Sequence, residues 1–264
     1  FGGLLVSNYL YDKENLSLVV TIISMLLAIY FSSRVERQEQ VFKGDSSTFK
    51  QVFEQFTQIK ENPLIRNFIF YAFIWTCLST ALWFFQLEII NNFTNDSAVK
   101  TQIFGRADSM VPIITLATQL LLTSYFLRSK YLGIRFVLTM YGVLFTVAFL
   151  AVSGYFSEYL LSASGITLFL ILQGTMRPFE YGLNKPAREA VFTTLSTKEK
   201  YKSTVFIDTF TNRFGDATGG LLFNSLLSFG LLLYAAPLAI IPLAIFLINL
   251  GWSISKDIDP VNSK

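Results

Sequence analysis

Residues 65–90 read IRNFIFYAFIWTCLSTALWFFQLEII. No charged side chain interrupts them between Arg66 and Glu88, and the stretch exceeds the roughly twenty apolar residues with which an α-helix crosses a hydrocarbon core. Working outward, comparable apolar windows at 16–33, 109–127, 132–155, 163–180, 204–231 and 235–255 give seven predicted spans and an incomplete piece before the first. Composition points the same way. Hydrophobic residues make up 52% of the 264 and charged residues only 15%, where soluble domains carry about a quarter, so a membrane protein is expected. The lone Cys77 excludes an internal disulfide, and the absence of histidine removes the usual zinc sites and His-based catalysis. The chain is therefore read as a non-enzyme without cofactor, whose partners are the bilayer and a small molecule, not nucleic acid.

Cations set the orientation. Arg34, Arg37, Lys43, Lys50, Lys60 and Arg66 follow the first span, Arg128, Lys130 and Arg135 fall near the third turn, and a third basic stretch runs from Arg177 to Lys202. The alternate loops hold few or none, so the basic loops and the tail after Lys256 are predicted to be cytoplasmic.

The opening Phe1-Gly2-Gly3-Leu4-Leu5 lacks Met and a signal-peptide pattern and reads as an interrupted helix, which predicts a piece of a longer protein. Gly2-Gly3-Leu4-Leu5, a short outer loop, an apolar span and Arg34 parallel Gly219-Gly220-Leu221-Leu222, a short outer loop, an apolar span and Lys256. That parallel predicts that 1–34 ends one six-helix half and that 65–256 is a second, as in transporters with two parallel halves. Residues 35–64 would then be a cytoplasmic linker and 257–264 a cytoplasmic tail. Within the linker, Phe49, Val52, Phe53, Phe56 and Ile59 recur at helical spacing behind a capping cluster, Asp45 to Thr48, and ahead of Pro63. Such a helix either lies on the inner membrane surface or packs the halves together.

Ionisable side chains inside a span are expensive and mark the places to look for function. The sixth span is richest. At about 100° per residue, Asp208, Asn212, Asp216, Thr209, Arg213, Gly219 and Gly220 share one face, while Ile207, Phe210, Phe214, Ala217 and Leu221 take the other. Either the polar face lines a cavity, or Arg213 and Asp216 form a structural pair at i, i+3 with the glycines admitting a neighbouring helix. A second cluster, Glu88 with Arg106 and Asp108, sits near the outer side, where it forms a gate or ligand site or is merely solvated. A third, Arg177, Glu180, Lys185, Arg188 and Glu189, reads chiefly as orientation signal and interfacial contact. There Pro178 and Pro186 predict a break in the helix, and Thr197-Lys198-Glu199 a new start, with the segment lying in the interface before re-entry at Ser203. No Gly-x-x-x-x-Gly-Lys-Ser/Thr loop is present, so a nucleotide would have to be held by cavity cations.

Lys185-Pro-Ala-Arg188-Glu189-Ala-Val-Phe192-Thr193, Lys198-Glu199-Lys200-Tyr201-Lys202, Phe206-Ile207-Asp208-Thr209 and Arg213-Phe214-Gly215-Asp216-Ala-Thr-Gly219-Gly220, in this order, resemble the ATP/ADP translocase family of plastids and intracellular bacteria. The likeness extends over Leu64 to Lys256: Glu88 in Gln86-Leu87-Glu88-Ile89 and the pattern Phe104-x-Arg106-x-x-Ser109 are similar to family features, and Arg128 to Arg135 is similar to a basic loop of facilitator halves. The resemblance implies an all-α integral membrane protein, the C-terminal six-helix half of a twelve-helix major-facilitator-like bundle plus the last helix or so of the N-terminal half. It also implies ATP:ADP antiport across a plasma membrane, the bacterial inner membrane, with the missing half as partner. Arg213, Asp216, Asp208, Asn212, Glu88, Arg106 and Arg188 are the candidate substrate-binding or gating residues. Two departures stand out. Nucleotide-exchanging members carry Gly-Lys-x-Gly-Gly where this chain has Gly215-Asp216-Ala-Thr-Gly219-Gly220, and the lysine expected after Glu88 is replaced near Asn91 or Asn92. A cavity cation thus becomes an anion, which favours another organic anion or a proton-coupled solute as the alternative. A membrane sensor or scaffold on a transporter fold is the alternative from another class.

Overall fold

Asn62 caps the helix that organises the rest: its side-chain oxygen accepts the Leu64 backbone N–H at 3.1 Å, and Pro63 follows where a missing N–H costs nothing. The computed structural model describes residues 14–34, 62–128, 130–158 and 165–258. Helix α1 is Glu14–Arg34 and α2 is Pro63–Phe93. Helix α3 runs Ser97–Thr118, then a wider π-helical turn, Gln119–Thr123, then Ser124–Leu127. Helix α4 is Lys130–Phe156, and α5 is Gly165–Phe179 continued by a π turn, Glu180–Asn184, and by Lys185–Phe192. Helix α6 is Thr197–Phe206, a π turn, Ile207–Thr211, and Asn212–Ser228; α7 is Ala236–Ile258.

No strand occurs among the described residues, and four stretches are long and apolar enough to cross a membrane: Pro63–Phe93, Ser97–Phe126, Gly133–Phe156 and Ala236–Lys256. The protein is an all-helical, multi-pass membrane protein. The spans expected at 16–33, 163–180 and 204–231 also fall on helices, α1, α5 and α6, the last two carrying ionisable residues along their length. The amphipathic linker helix, the Gly2–Leu5 repeat and the tail beyond Ile258 lie outside the described residues.

Helix α2 is the hub. Phe68, Leu78, Ala81, Leu82, Phe85 and Ile89 of α2 are buried with Leu138, Tyr141, Phe145, Phe149 and Val152 of α4 and with Ile240, Ala244 and Leu247 of α7. Tyr71 donates its hydroxyl to the Leu138 carbonyl of α4 at 3.1 Å, a bond with little competition away from water. Outward, Ile113, Leu120 and Leu121 of α3, Val147 of α4 and Leu221 of α6 are exposed, as lipid-facing positions should be.

Lipid tails are as apolar as these side chains, so helix association here depends on close packing more than on removal of apolar surface from water. Close approach of this kind joins α4 to α7 at Gly142 and Gly251, and α6 to α2. Gly215 and Gly219, one turn apart, are both buried against the α2 backbone: a Cβ on Gly215 would meet the Phe73 carbonyl oxygen at 2.9 Å, and one on Gly219 would collide with the Cys77 carbonyl oxygen.

The expected break between Pro178 and Pro186 is absent, because the helix widens instead of stopping. The Lys185 N–H reaches back five residues to the Glu180 carbonyl, and Pro186, lacking an N–H, can donate to neither the Gly182 carbonyl nor that of Tyr181. Side chains from the π turn of α3 replace it: Gln119 donates to the Tyr181 carbonyl at 3.2 Å and Thr123 to that of Gly182. The expected helix start near Thr197 is present, with Ser196 and Glu199 forming a reciprocal capping box. From there α6 continues through Ser203 without interruption.

Replacing Gly219 by Leu is expected to destabilise the protein by about 1–3 kcal/mol through forced separation of α2 and α6. Gly220→Ala, whose Cβ would meet only the Phe84 ring at 3.3 Å, is expected to be tolerated. Thermal unfolding of both variants in detergent checks this, equal melting temperatures being the contrary result.

Candidate functional site

Because Gly215 and Gly219 bring the two backbones together, the α2 threonines one turn apart face polar residues of α6 in matching register. Thr80 donates to Asp216 Oδ1 at 2.8 Å, and the Thr76 hydroxyl, which donates to the Ala72 carbonyl at 2.8 Å, lies 3.2 Å from Asn212 Oδ1. Asn212 Nδ2 in turn donates to Asp208 Oδ1 at 3.3 Å. The polar face of α6 is thus turned toward α2 and the space beside it, while Phe210 and Phe214 are exposed, Phe214 with its ring stacked against Phe73 at the edge of α2. Ile207, on the apolar side of the helix, is buried in the core with side chains of α2 and α4.

That space is a cavity of about 490 Å³, within the range of sites for small organic molecules. Helix α2 contributes Trp75, Thr76, Ser79, Thr80, Trp83 and Gln86; α4 contributes Tyr141 and Phe145; α5 contributes Gln173, Arg177 and Glu180; α6 contributes Asp208, Asn212, Arg213 and Asp216. A smaller cavity of about 180 Å³ abuts it, lined by Phe68 and Tyr71 near the start of α2 and by Lys185 and Arg188 of α5. Trp75, Glu180, Tyr181, Asp208 and Asn212 belong to both walls and so form the partition.

Most charges at the site have an opposite neighbour. Arg188 meets Asp208 at 3.3 Å, bridging α5 and α6 at the partition, and Arg177 meets Asp108 of α3 at 2.7 Å. Arg213 reaches Asp216 only at 3.8 Å, and its side chain is 81% exposed. The Glu180 side chain forms neither a hydrogen bond nor an ion pair among the described residues. Deeper in, Gln173 Nε2 donates to Gln86 Oε1 at 2.7 Å with both residues 4% exposed. Gln173 Oε1, the Tyr141 hydroxyl and Trp75 Nε1 are buried on this wall without partners.

Of the residues expected from sequence, Asp208, Asn212, Arg213 and Asp216 are brought together on one cavity, and Arg188 joins them through Asp208 at the partition. Glu88 and Arg106 are not on its walls, and the third member of the outer cluster, Asp108, is tied to Arg177. Glu180, expected to be an interfacial charge, lines both cavities. Gln86, Gln173, Thr76 and Thr80 were missed because uncharged polar residues raise no alarm in a hydropathy reading. The available signal was spacing: two threonines at i, i+4 on one helix matching two small residues at i, i+4 on another.

Gln86→Leu strands the Gln173 amide in a buried wall and is expected to cost about 1–3 kcal/mol, lowering the melting temperature. The double variant with Gln173→Leu should regain a large part of that loss. Additive losses in a thermal melt would contradict the pairing. No protein-family model, curated protein or solved structure matches the chain, so the functional reading rests on its own residues and geometry.

Proposed function

We propose that the protein is a secondary transmembrane transporter that binds an organic solute in the cavity between α2, α4, α5 and α6 and releases it by alternating access. The observation that carries this reading is a polar, charge-lined cavity of about 490 Å³ walled by helices of a multi-pass membrane protein. Buried polarity of this kind is costly in a bilayer and is typical of a solute path. The six helical runs α2 to α7 would be one half of a major-facilitator-like bundle, set in a bacterial inner membrane with the basic loops and C-terminus cytoplasmic. Arg213 is the substrate-facing cation, and Arg188 with Asp208 is the pair that closes the cytoplasmic partition.

Nucleotide exchange, implied by the ordered motif from Lys185 to Gly220, is the second reading. A nucleoside triphosphate brings several negative charges that need nearby cations once desolvated. The larger cavity presents Arg177 and Arg213 against Glu180, Asp208 and Asp216, so further cations for ATP would have to come from outside it. A solute of small net charge has no such need and is the preferred reading.

Counter-exchange in proteoliposomes tests both readings, with radiolabelled ATP, ADP and a panel of organic solutes. Saturable exchange of a solute of small net charge is expected, reduced at least about tenfold by Arg213→Ala because a charge-assisted contact is lost. Wild-type rates in Arg213→Ala would remove that residue from the site. Saturable ATP:ADP exchange, strengthened by Asp216→Lys, would establish the nucleotide reading instead.

A further inference from the structure

We propose that the solute is a zwitterion with an apolar body, its ammonium group held at Glu180 and its carboxylate at Arg213. This rests on the transporter reading and narrows it to a substrate class.

The two charges that remain available in the larger cavity are opposite in sign. Arg177 is held by Asp108 at 2.7 Å and Arg188 by Asp208 at 3.3 Å, each through one nitrogen, and neither forms an ion pair with Glu180 among the described residues. Lys185, the other cation whose field reaches Glu180, is exposed on the smaller cavity and forms no ion pair with it. Glu180 is therefore a carboxylate at a cavity wall with acceptor sites unused. Gln173 lies two turns before Glu180 on α5, hence on the same face, and is 4% exposed with Oε1 unpartnered. Together these oxygens offer acceptors to a group with several N–H donors, and a primary ammonium carries three.

Arg213 supplies the other pole. It touches Asp216 only at 3.8 Å through Oδ2, while Oδ1 of Asp216 is taken by Thr80 at 2.8 Å. Most of the five guanidinium donors are thus available to a carboxylate, which they match in a bidentate fork. Trp75 and Phe145 line the same cavity and offer surfaces for an apolar or aromatic body. A solute with only a positive group would leave Arg213 unanswered, and one with only negative groups would bring charge toward Glu180, Asp208 and Asp216.

The test is binding to the full-length protein in detergent, followed by quenching of tryptophan fluorescence, since two of the three tryptophans, Trp75 and Trp83, line the cavity. Phenylalanine is compared with two analogues that each lack one charge, phenethylamine and hydrocinnamate, with ATP as a competitor. Phenylalanine is expected to bind about tenfold or more tightly than either analogue. Glu180→Gln should bring phenylalanine to within about twofold of hydrocinnamate, and Arg213→Gln to within about twofold of phenethylamine, each variant erasing one preference and keeping the other. Glu180→Asp should retain the ammonium preference, which separates charge recognition from a structural role. Monodispersity in gel filtration shows that the variants are folded.

Equal affinity for all three probes, no saturable phenylalanine binding by folded wild type, or preferences that survive both substitutions would overturn the proposal. Phenylalanine binding without counterflow in proteoliposomes would sink the transporter reading and leave the site assignment standing. Counterflow of a different solute with no phenylalanine binding would sink this proposal alone.

Discussion

The close approach of α6 to α2 is the constraint on which the rest depends. In a bilayer, apolar side chains gain little by leaving lipid for protein, so two helices meet closely only where small residues let backbones touch. Gly215 and Gly219 provide that contact opposite Phe73 and Cys77, and the same contact fixes the rotation of α6 about its axis. Once the rotation is set, Asn212 and Asp216 must fall beside Thr76 and Thr80, and Asp208 and Arg213 must border the space toward α4 and α5. A larger residue at either glycine would move every one of these groups at once.

From this placement follows the electrostatic character of the cavity. Carboxylates and guanidinium groups come from different helices and meet at the cavity wall, so that α3 is tied to α5 through Asp108 and Arg177, and α5 to α6 through Arg188 and Asp208. The half-exposed Arg177–Asp108 pair is weak by itself, worth about 0–1 kcal/mol, and so is suited to breaking when helices move. The two π turns at the partition, in α5 and α6, widen the helices where Glu180 and Asp208 project. Bulges of this kind are frequent at functional sites because they re-aim side chains without ending the helix. The proposed rocking would need such exchangeable contacts beside a rigid packed seam, and α2, α4 and α7 pack as one.

Sequence reading located the helices well, because a span of apolar residues is the strongest signal a chain can carry. It also gathered Asp208, Asn212, Arg213 and Asp216 on one face from the helical repeat alone. It misjudged Pro178 and Pro186, since the donors that rescue the Tyr181 and Gly182 carbonyls come from Gln119 and Thr123, some sixty residues away in sequence. It left Glu180 among interfacial charges because nothing local says which cations have partners; Arg177 and Arg188 are claimed by Asp108 and Asp208 only in three dimensions. Glu88 and Arg106 drew attention as charges near the outer ends of their spans, yet position along a span does not specify direction, and neither lies on the cavity wall.

The central claim is that α6 presents one wet face to a cavity and one dry face to lipid. Single cysteines placed along α6 and treated with a membrane-impermeant thiol reagent in intact membranes test it directly, since the reagent attacks thiolates and these form only where water reaches. Native Cys77, buried at 1% exposure, is the silent background. Reaction is expected at positions 208, 212 and 216, with silence at the buried positions 207 and 211 and at the exposed, lipid-facing positions 210, 214 and 221. Equal reaction at 210, 214 and 221 would show a helix wet on all sides and contradict both the membrane placement and the cavity.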